Sequence, residues 1–366
     1  MSPFASPVRL KGDTVGFRRR GGPLVAVRIG APRRRIALQP RFLTMTHAID
    51  PELVDLLDVL PRQPLTLETL SAWRQWAHSA TSVADETRDA AVSVSTRCVA
   101  GAVEGGEISL RLYEPADRGA LRGCIYHIHG GGFVMGDCYE SEAFHRQLAS
   151  NLNAVLVSVG YRLAPETRFP GNIQDCYTGL AWVFAHAGEL RIDPSRVGVM
   201  GESAGGGLAA ALTLMVRDRA EYRLAFQHLV YPMLDDRTCV SNDPHPYTGE
   251  WVWTRPHNRF GWASILGQEP GRDGVSPYAA PARAASLEGL PPAYIATAAL
   301  DLFLEEDLEY ARRLSRANVP VELHVYPGAF HGFDLHPTAK VAQAAKDHRV
   351  SALSRALRTQ TPIGSL

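Results

Sequence analysis

The chain has 366 residues and no formal net charge, with 45% apolar and 21% charged residues, the balance of an ordinary globular protein. That balance gives no reason to expect a nucleic-acid or membrane-surface partner. Its five cysteines (Cys98, Cys124, Cys138, Cys176 and Cys239) are odd in number and form no C-x-x-C pair, which argues against a disulfide framework and for a reduced, cytoplasmic setting.

The neutral total hides an asymmetry. Residues 1–44 hold ten Lys or Arg and a single acid, Asp13, so the remainder is acidic. This basic stretch shows neither helical nor strand periodicity, and the expectation is a disordered arm, or an extension ahead of a true start at Met45. Arg18–Arg20 and Arg33–Arg35 have no interleaved aromatic residues, so a nucleic-acid-binding arm is disfavoured. The apolar stretch Pro23–Val27 ends at Arg28, short of the about 7–15 residues of a signal peptide. No apolar run reaches the roughly 18 residues of a membrane span.

Residues 45–90 predict two short helices. Asp50 is a good N-cap ahead of Pro51, and Leu53, Leu56, Leu57 and Leu60 share one helical face. After Pro61 and Pro64, Leu67, Leu70, Trp73 and Ala77 repeat the pattern. Residues 91–366 have another texture. Val92–Val99 and Ile108–Tyr113 read as a hairpin turning near Gly105-Gly106. Short apolar strands then follow at Cys124–His129, Ala154–Val159, Val197–Met200, Gln227–Tyr231, Ala293–Ala298 and Val321–Tyr326. Helical segments near 141–151, 172–187, 204–218, 302–317 and 339–358 sit between or after them. Alternation of this kind predicts an α/β fold, a mostly parallel eight-stranded sheet with an antiparallel start and helices on both faces. About 60 residues separate Tyr231 from Ala293, and they include Trp251, Trp253, Phe260 and Trp262. An insert of that length above strand ends usually builds a lid or pocket wall.

Gly201-Glu202-Ser203-Ala204-Gly205 follows an apolar strand and precedes a helix, the context in which G-x-S-x-G presents a nucleophilic serine. Residues two before and two after the serine must lack bulk, and both are glycine. His129-Gly130-Gly131-Gly132-Phe133 follows the strand before, and three glycines let backbone N–H groups approach a developing oxyanion. A nucleophilic serine needs a base, and the base an orienting carboxylate, in the chain order Ser, Asp or Glu, His. His331 fits, just beyond the last strand between Gly328 and Gly332. For the acid, Asp301 ends a strand; Asp235 and Asp236 are rivals, and Asp301 could serve merely as an N-cap. No His, Cys or acid cluster has metal-ligand spacing, so no metal and no cofactor is expected.

Together these motifs resemble the hormone-sensitive-lipase-like esterases of the α/β-hydrolase fold, over about residues 90–355. Tyr161-Arg-Leu-Ala-Pro-Glu166, with Phe169-Pro170 and Asp175, is similar to the family's segment beyond the oxyanion loop, and Asp301–Asp307 to its acid-bearing turn. Leu302 stands where that turn usually has Pro, and Glu202 where the elbow usually has Asp. The resemblance implies oxyanion donors at Gly131, Gly132 and Ala204. It implies a helical cap from residues 50–80 and an insertion at about 235–275, with Phe133, Glu202, Trp251, Trp253 and Phe333 at the substrate. The implied activity is hydrolysis of small to medium acyl or aryl esters by a Ser-His-Asp triad through an acyl-enzyme. The same triad acting on an amide, carbamate or lactone is the alternative, and an inactive small-molecule-binding relative a remote one. A homodimer is also within the family's habit.

Overall fold

The computed structural model describes residues 49–59, 61, 63–81, 91–101, 106–117 and 119–358, together with the backbone of three short strands nearer the N-terminus. The chain divides into two compact units, Met1–His47 and Ala48–Leu366. The first contains β1 (Val8–Arg9), β2 (Thr14–Phe17) and β3 (Val25–Arg28), paired antiparallel in that order. Strand periodicity is not legible in the sequence of this stretch. At two to four residues each, the strands are too short for an alternation pattern to register. The rest of the arm lies outside the described residues.

In the second unit the sheet is built from β4 (Val92–Ala100), β5 (Glu107–Pro115), β6 (Arg122–Ile128), β7 (Val155–Gly160), β8 (Ile192–Glu202), β9 (Gln227–Val230), β10 (Ala293–Ala298) and β11 (Val321–Tyr326). Their order across the sheet is β11-β10-β9-β8-β6-β7-β5-β4. β4 and β5 pair antiparallel and β5 meets β7 antiparallel; every other pairing is parallel. All residues of β6, β9 and β10 are buried, as unbroken apolar runs in a doubly covered parallel sheet should be. The helices of this unit are α1 (Leu70–Thr81), α2 (Glu142–Leu152), α3 (Gly171–Ala185), α4 (Ala204–Arg219), α5 (Arg255–Leu266), α6 (Leu304–Arg316) and α7 (Lys340–Ala356).

The eight strands of this sheet and five of the helices after residue 140 fall where periodicity puts them, whereas α5, inside the long insert, was not expected as a helix. The N-terminal helices differ. Pro51–Asp58 is a 3₁₀ helix, capped as expected by Asp50 Oδ1, which accepts the Glu52 N–H at 2.9 Å. Leu67 is 65% exposed rather than on a buried face. Thr69 Oγ1 accepts the Thr66 N–H and donates to the Pro64 carbonyl, holding the chain in a turn until Leu70.

The strand order sets the position of everything that follows. From β6 the chain moves to β7 on one side, then returns to β8 on the other, so β6 and β8 are neighbours whose outgoing loops diverge. A crevice opens at such a switch point, outside the carboxyl ends of the strands. The loop after β6 is the Gly-rich one, and the turn after β8 carries Ser203. α4 presses onto the sheet here: a Cβ on Gly205 would lie 2.0 Å from the Ile128 carbonyl oxygen.

One further acid of this core is buried on α6. Asp307 on α6 is fully buried, and neither of its oxygens has a hydrogen-bond partner among the described residues. Burial, then the nearby Glu306 charge, pushes its carboxyl well above the usual range. A carboxyl protonated longer in the folded state than in the unfolded one loses stability as pH rises. Asp307→Asn should therefore melt higher than the parent at pH 8. The gap should close below about pH 4, where the unfolded aspartate is protonated too. Equal melting temperatures at pH 8 would contradict this account.

Candidate active site

Ser203 sits between the end of β8 and the first residue of α4, with φ 55° and ψ −123°. That conformation is strained for a residue with a Cβ, and such strain persists only where surroundings enforce it. Here three backbone bonds do so. The Ser203 N–H donates to the Val230 carbonyl at 2.9 Å, and its own carbonyl accepts from the Gly207 and Met233 N–H groups. The turn lifts Oγ above the sheet, 2.9 Å from His331 Nε2.

His331 lies in the loop after β11. The loop is pinned at several points: Leu300 N–H donates to the Ala329 carbonyl, and Asp50 N–H to the Gly328 carbonyl, both at 2.9 Å. Asp301 is fully buried in the loop after β10, and its Oδ2 is 2.7 Å from His331 Nδ1. A carboxylate only accepts, so Nδ1 carries the proton and Nε2 is left to accept from the serine hydroxyl. Asp301 Oδ1 meanwhile accepts the Phe303 N–H at 3.0 Å. That bond closes the turn ahead of α6, whose N-cap is Phe303, so Asp301 is not the helix cap, and its other oxygen faces the imidazole. The rivals are engaged elsewhere: Asp235 pairs with Arg237, and buried Asp236 with Arg283. The rings of Tyr231, Phe303 and Trp253 surround the imidazole, with centroids at 4.6, 5.3 and 6.3 Å.

Above the serine runs the loop 129–136. Gly131 and Gly132 have φ of 103° and 61°, and among the described residues no carbonyl accepts their N–H groups. Ala204, as the first residue of α4, also has its N–H free of the helix ladder. His129 shapes this loop without joining the chemistry. Its Nδ1 is 2.9 Å from the Gly130 carbonyl oxygen, its ring stacks on Tyr161, and burial drives its pKa down to about 4, keeping it neutral. The Tyr161 hydroxyl donates to the His129 carbonyl at 3.1 Å. A Cβ on Gly132 would come within 2.1 Å of Trp253 Cη2. Gly132→Ala should displace this amide and cost about 10²–10³-fold in kcat, the range for losing one oxyanion donor. Unchanged steady-state turnover would remove Gly132 from that role.

A cavity of about 1010 Å³ opens over the serine. Its walls include Trp73 and Trp76 from α1, Phe144 from α2, Glu202 and Trp253. Glu202 and Trp253 are therefore where sequence puts them, at the cavity. Phe133, Trp251 and Phe333 are not among its lining residues. Phe133 is buried and packs edge-on against Trp262, Phe333 is buried against Tyr326, and Trp251 is only partly buried beside a core cluster. A motif neighbour of a site residue shares its chain position but not its direction, and these three point into packing. Tyr231, Asp334 and Arg349 also line the cavity, and sequence reading missed them. Tyr231 ends a predicted strand and could have been suspected; Arg349, in the middle of α7, carried no local signal.

Comparisons with known proteins agree with this geometry. A family model described as the alpha/beta hydrolase fold matches residues 125–335. Esterase LipI of Mycobacterium tuberculosis is 34% identical over 294 residues, covering 78% of this chain and 88% of that protein. An arylesterase of Saccharolobus solfataricus is 31% identical, covering 68% of this chain and 77% of its own length. Among solved structures, a bacterial heroin esterase superposes with a TM-score of 0.80 at 39% identity, covering 86% of this chain and 99% of that one.

Proposed function

This chain belongs to the α/β-hydrolase fold family, in its hormone-sensitive-lipase-like branch, and we propose that it is a serine carboxylesterase for small to medium acyl and aryl esters. The observation that carries the reading is the unbroken line from Ser203 Oγ through His331 to Asp301, at 2.9 and 2.7 Å. The relatives named as esterases support the ester as the bond attacked.

In the mechanism we propose, the ester carbonyl lies over Ser203 with its oxygen toward the amides of Gly131, Gly132 and Ala204. Oγ attacks the carbonyl carbon while Nε2 of His331 takes its proton. Asp301 holds the imidazole in the accepting tautomer and stabilises the imidazolium. Collapse of the tetrahedral intermediate expels the alcohol, which receives that proton, and leaves an acyl-Ser203 ester. Water then attacks with the same base and the same amides, and the acid departs. The aromatic wall of Trp73, Trp76 and Trp253 is the surface we assign to the substrate's apolar part, with residues 50–80 and the 235–275 insertion as its cap.

A chain-length series of p-nitrophenyl esters tests this. Turnover should peak at short to medium acyl chains and fall away at long ones; a folded protein inactive on the whole series would sink the reading. Among the described residues no helix is long and apolar enough to cross a membrane. A cytoplasmic setting and a homodimer belong to the same proposal. The five cysteines are free, and Leu323 and Val325 lie exposed on β11, the edge of the sheet, where open strands invite a partner. A sedimentation mass decides the dimer, and a cell-fractionation blot the compartment.

A further inference from the structure

We propose that Arg349 is a positioning residue, a single guanidinium that holds the nucleophile and its base in register from behind the site; this rests on the triad reading above. Arg349 projects from α7 and is 6% exposed. One nitrogen, NH1, lies 3.3 Å from Glu202 Oε1, and the other, NH2, donates to Asp334 Oδ2 at 3.0 Å. Glu202 is the residue before Ser203. Asp334 is three residues beyond His331, in the turn that closes the histidine's loop. The two carboxylates therefore report on the two halves of the nucleophile–base pair, and one planar side chain spans them.

Each end of the span is fixed further. The other oxygen of Glu202 is 2.9 Å from His127 Nε2, and His127 Nδ1 is 2.9 Å from Ser158 Oγ, which anchors the elbow to β6 and β7. The other oxygen of Asp334 accepts from the Tyr231 hydroxyl at 2.6 Å, and the Tyr231 ring lies against His331. The guanidinium itself sits over the Phe144 ring, 5.2 Å from its centroid. Burial raises the pKa of Glu202, but His127 and Arg349 outweigh that and bring it down to about 2, so the pair stays ionised.

Buried ion pairs are weak devices for stability, because removing water from both charges offsets their attraction. A network in this place is better explained by geometry. Reaction rates fall steeply with misplacement, on the order of 10²-fold per ångström. The backbone bonds noted above fix each loop separately, while the guanidinium links them to each other. Lysine keeps the charge but lacks the fork that meets two carboxylates at once.

The test uses the full chain and p-nitrophenyl acetate. Arg349→Lys should lower kcat by about 10²-fold, with KM changed by no more than about 3-fold, since only positioning in the transition state is lost. Arg349→Ala should be restored by methylguanidinium at millimolar concentration, because the residue lines the open cavity, and not by methylammonium. A lysine variant with parental kcat overturns the inference. So does equal rescue by both cations, or a fall in kcat that merely follows loss of folded protein by circular dichroism. Folded parent protein inactive on every ester overturns the triad reading and this inference with it, whereas an active parent with an unaffected lysine variant overturns this inference alone.

Discussion

Ser203→Ala should lower kcat by about 10⁶-fold, the scale seen when a triad nucleophile is removed from another serine hydrolase. No other hydroxyl is placed to substitute, since His331 Nε2 faces Ser203 Oγ alone among the described hydrogen bonds. What survives should be the hydrolysis that oxyanion amides and binding support without a covalent step. Substrate should still bind, because the cavity walls are untouched. The measurements are single-turnover release of p-nitrophenol and labelling by a fluorophosphonate. The variant should show no burst and no label. A residual burst would mean that another residue carries the acyl group.

Asp301→Asn should cost about 10⁴-fold in kcat while leaving the fold and KM nearly intact. The physical reason is the tautomer. An asparagine amide presented to Nδ1 can donate, which would leave the proton on Nε2 and face a donor toward the serine hydroxyl. Asn can still accept the Phe303 N–H through its carbonyl oxygen, so the turn that the native carboxylate closes survives the change. Melting temperature and turnover should therefore separate: little change in the first, a large loss in the second. If both fell together, Asp301 would be acting as a structural brace of its turn and the acid would have to be sought elsewhere.

Much of this architecture was readable before any coordinates. Three strands of the main sheet, β6, β9 and β10, announce themselves because they are buried on both faces, and doubly buried strands are written as continuous apolar runs. Ser203, Asp301 and His331 were expected for a different reason: each follows the carboxyl end of a strand, and Ser203 also has, two residues to either side, the glycines its tight turn requires. The pocket was less legible. Trp253 reaches the cavity while Trp251, two residues earlier, does not, and nothing in a loop's composition encodes which way a side chain turns. Phe133 and Phe333 adjoin site residues yet serve the core, since a motif constrains the backbone of its flanks more than their side chains. Arg349 was invisible because its meaning lies in Glu202 and Asp334, contacts that only the folded topology creates.

The serine and histidine that meet at 2.9 Å stand 128 residues apart in the chain, and the loop carrying the histidine is tied back to Asp50 by a backbone bond. The machinery therefore draws on the chain from Asp50 to His331. Contacts so distant in sequence form late, after the entropy of closing long loops has been overcome. Ester turnover regained after dilution from denaturant is consequently a clock for the last docking events of folding, and it should lag behind the return of helical signal.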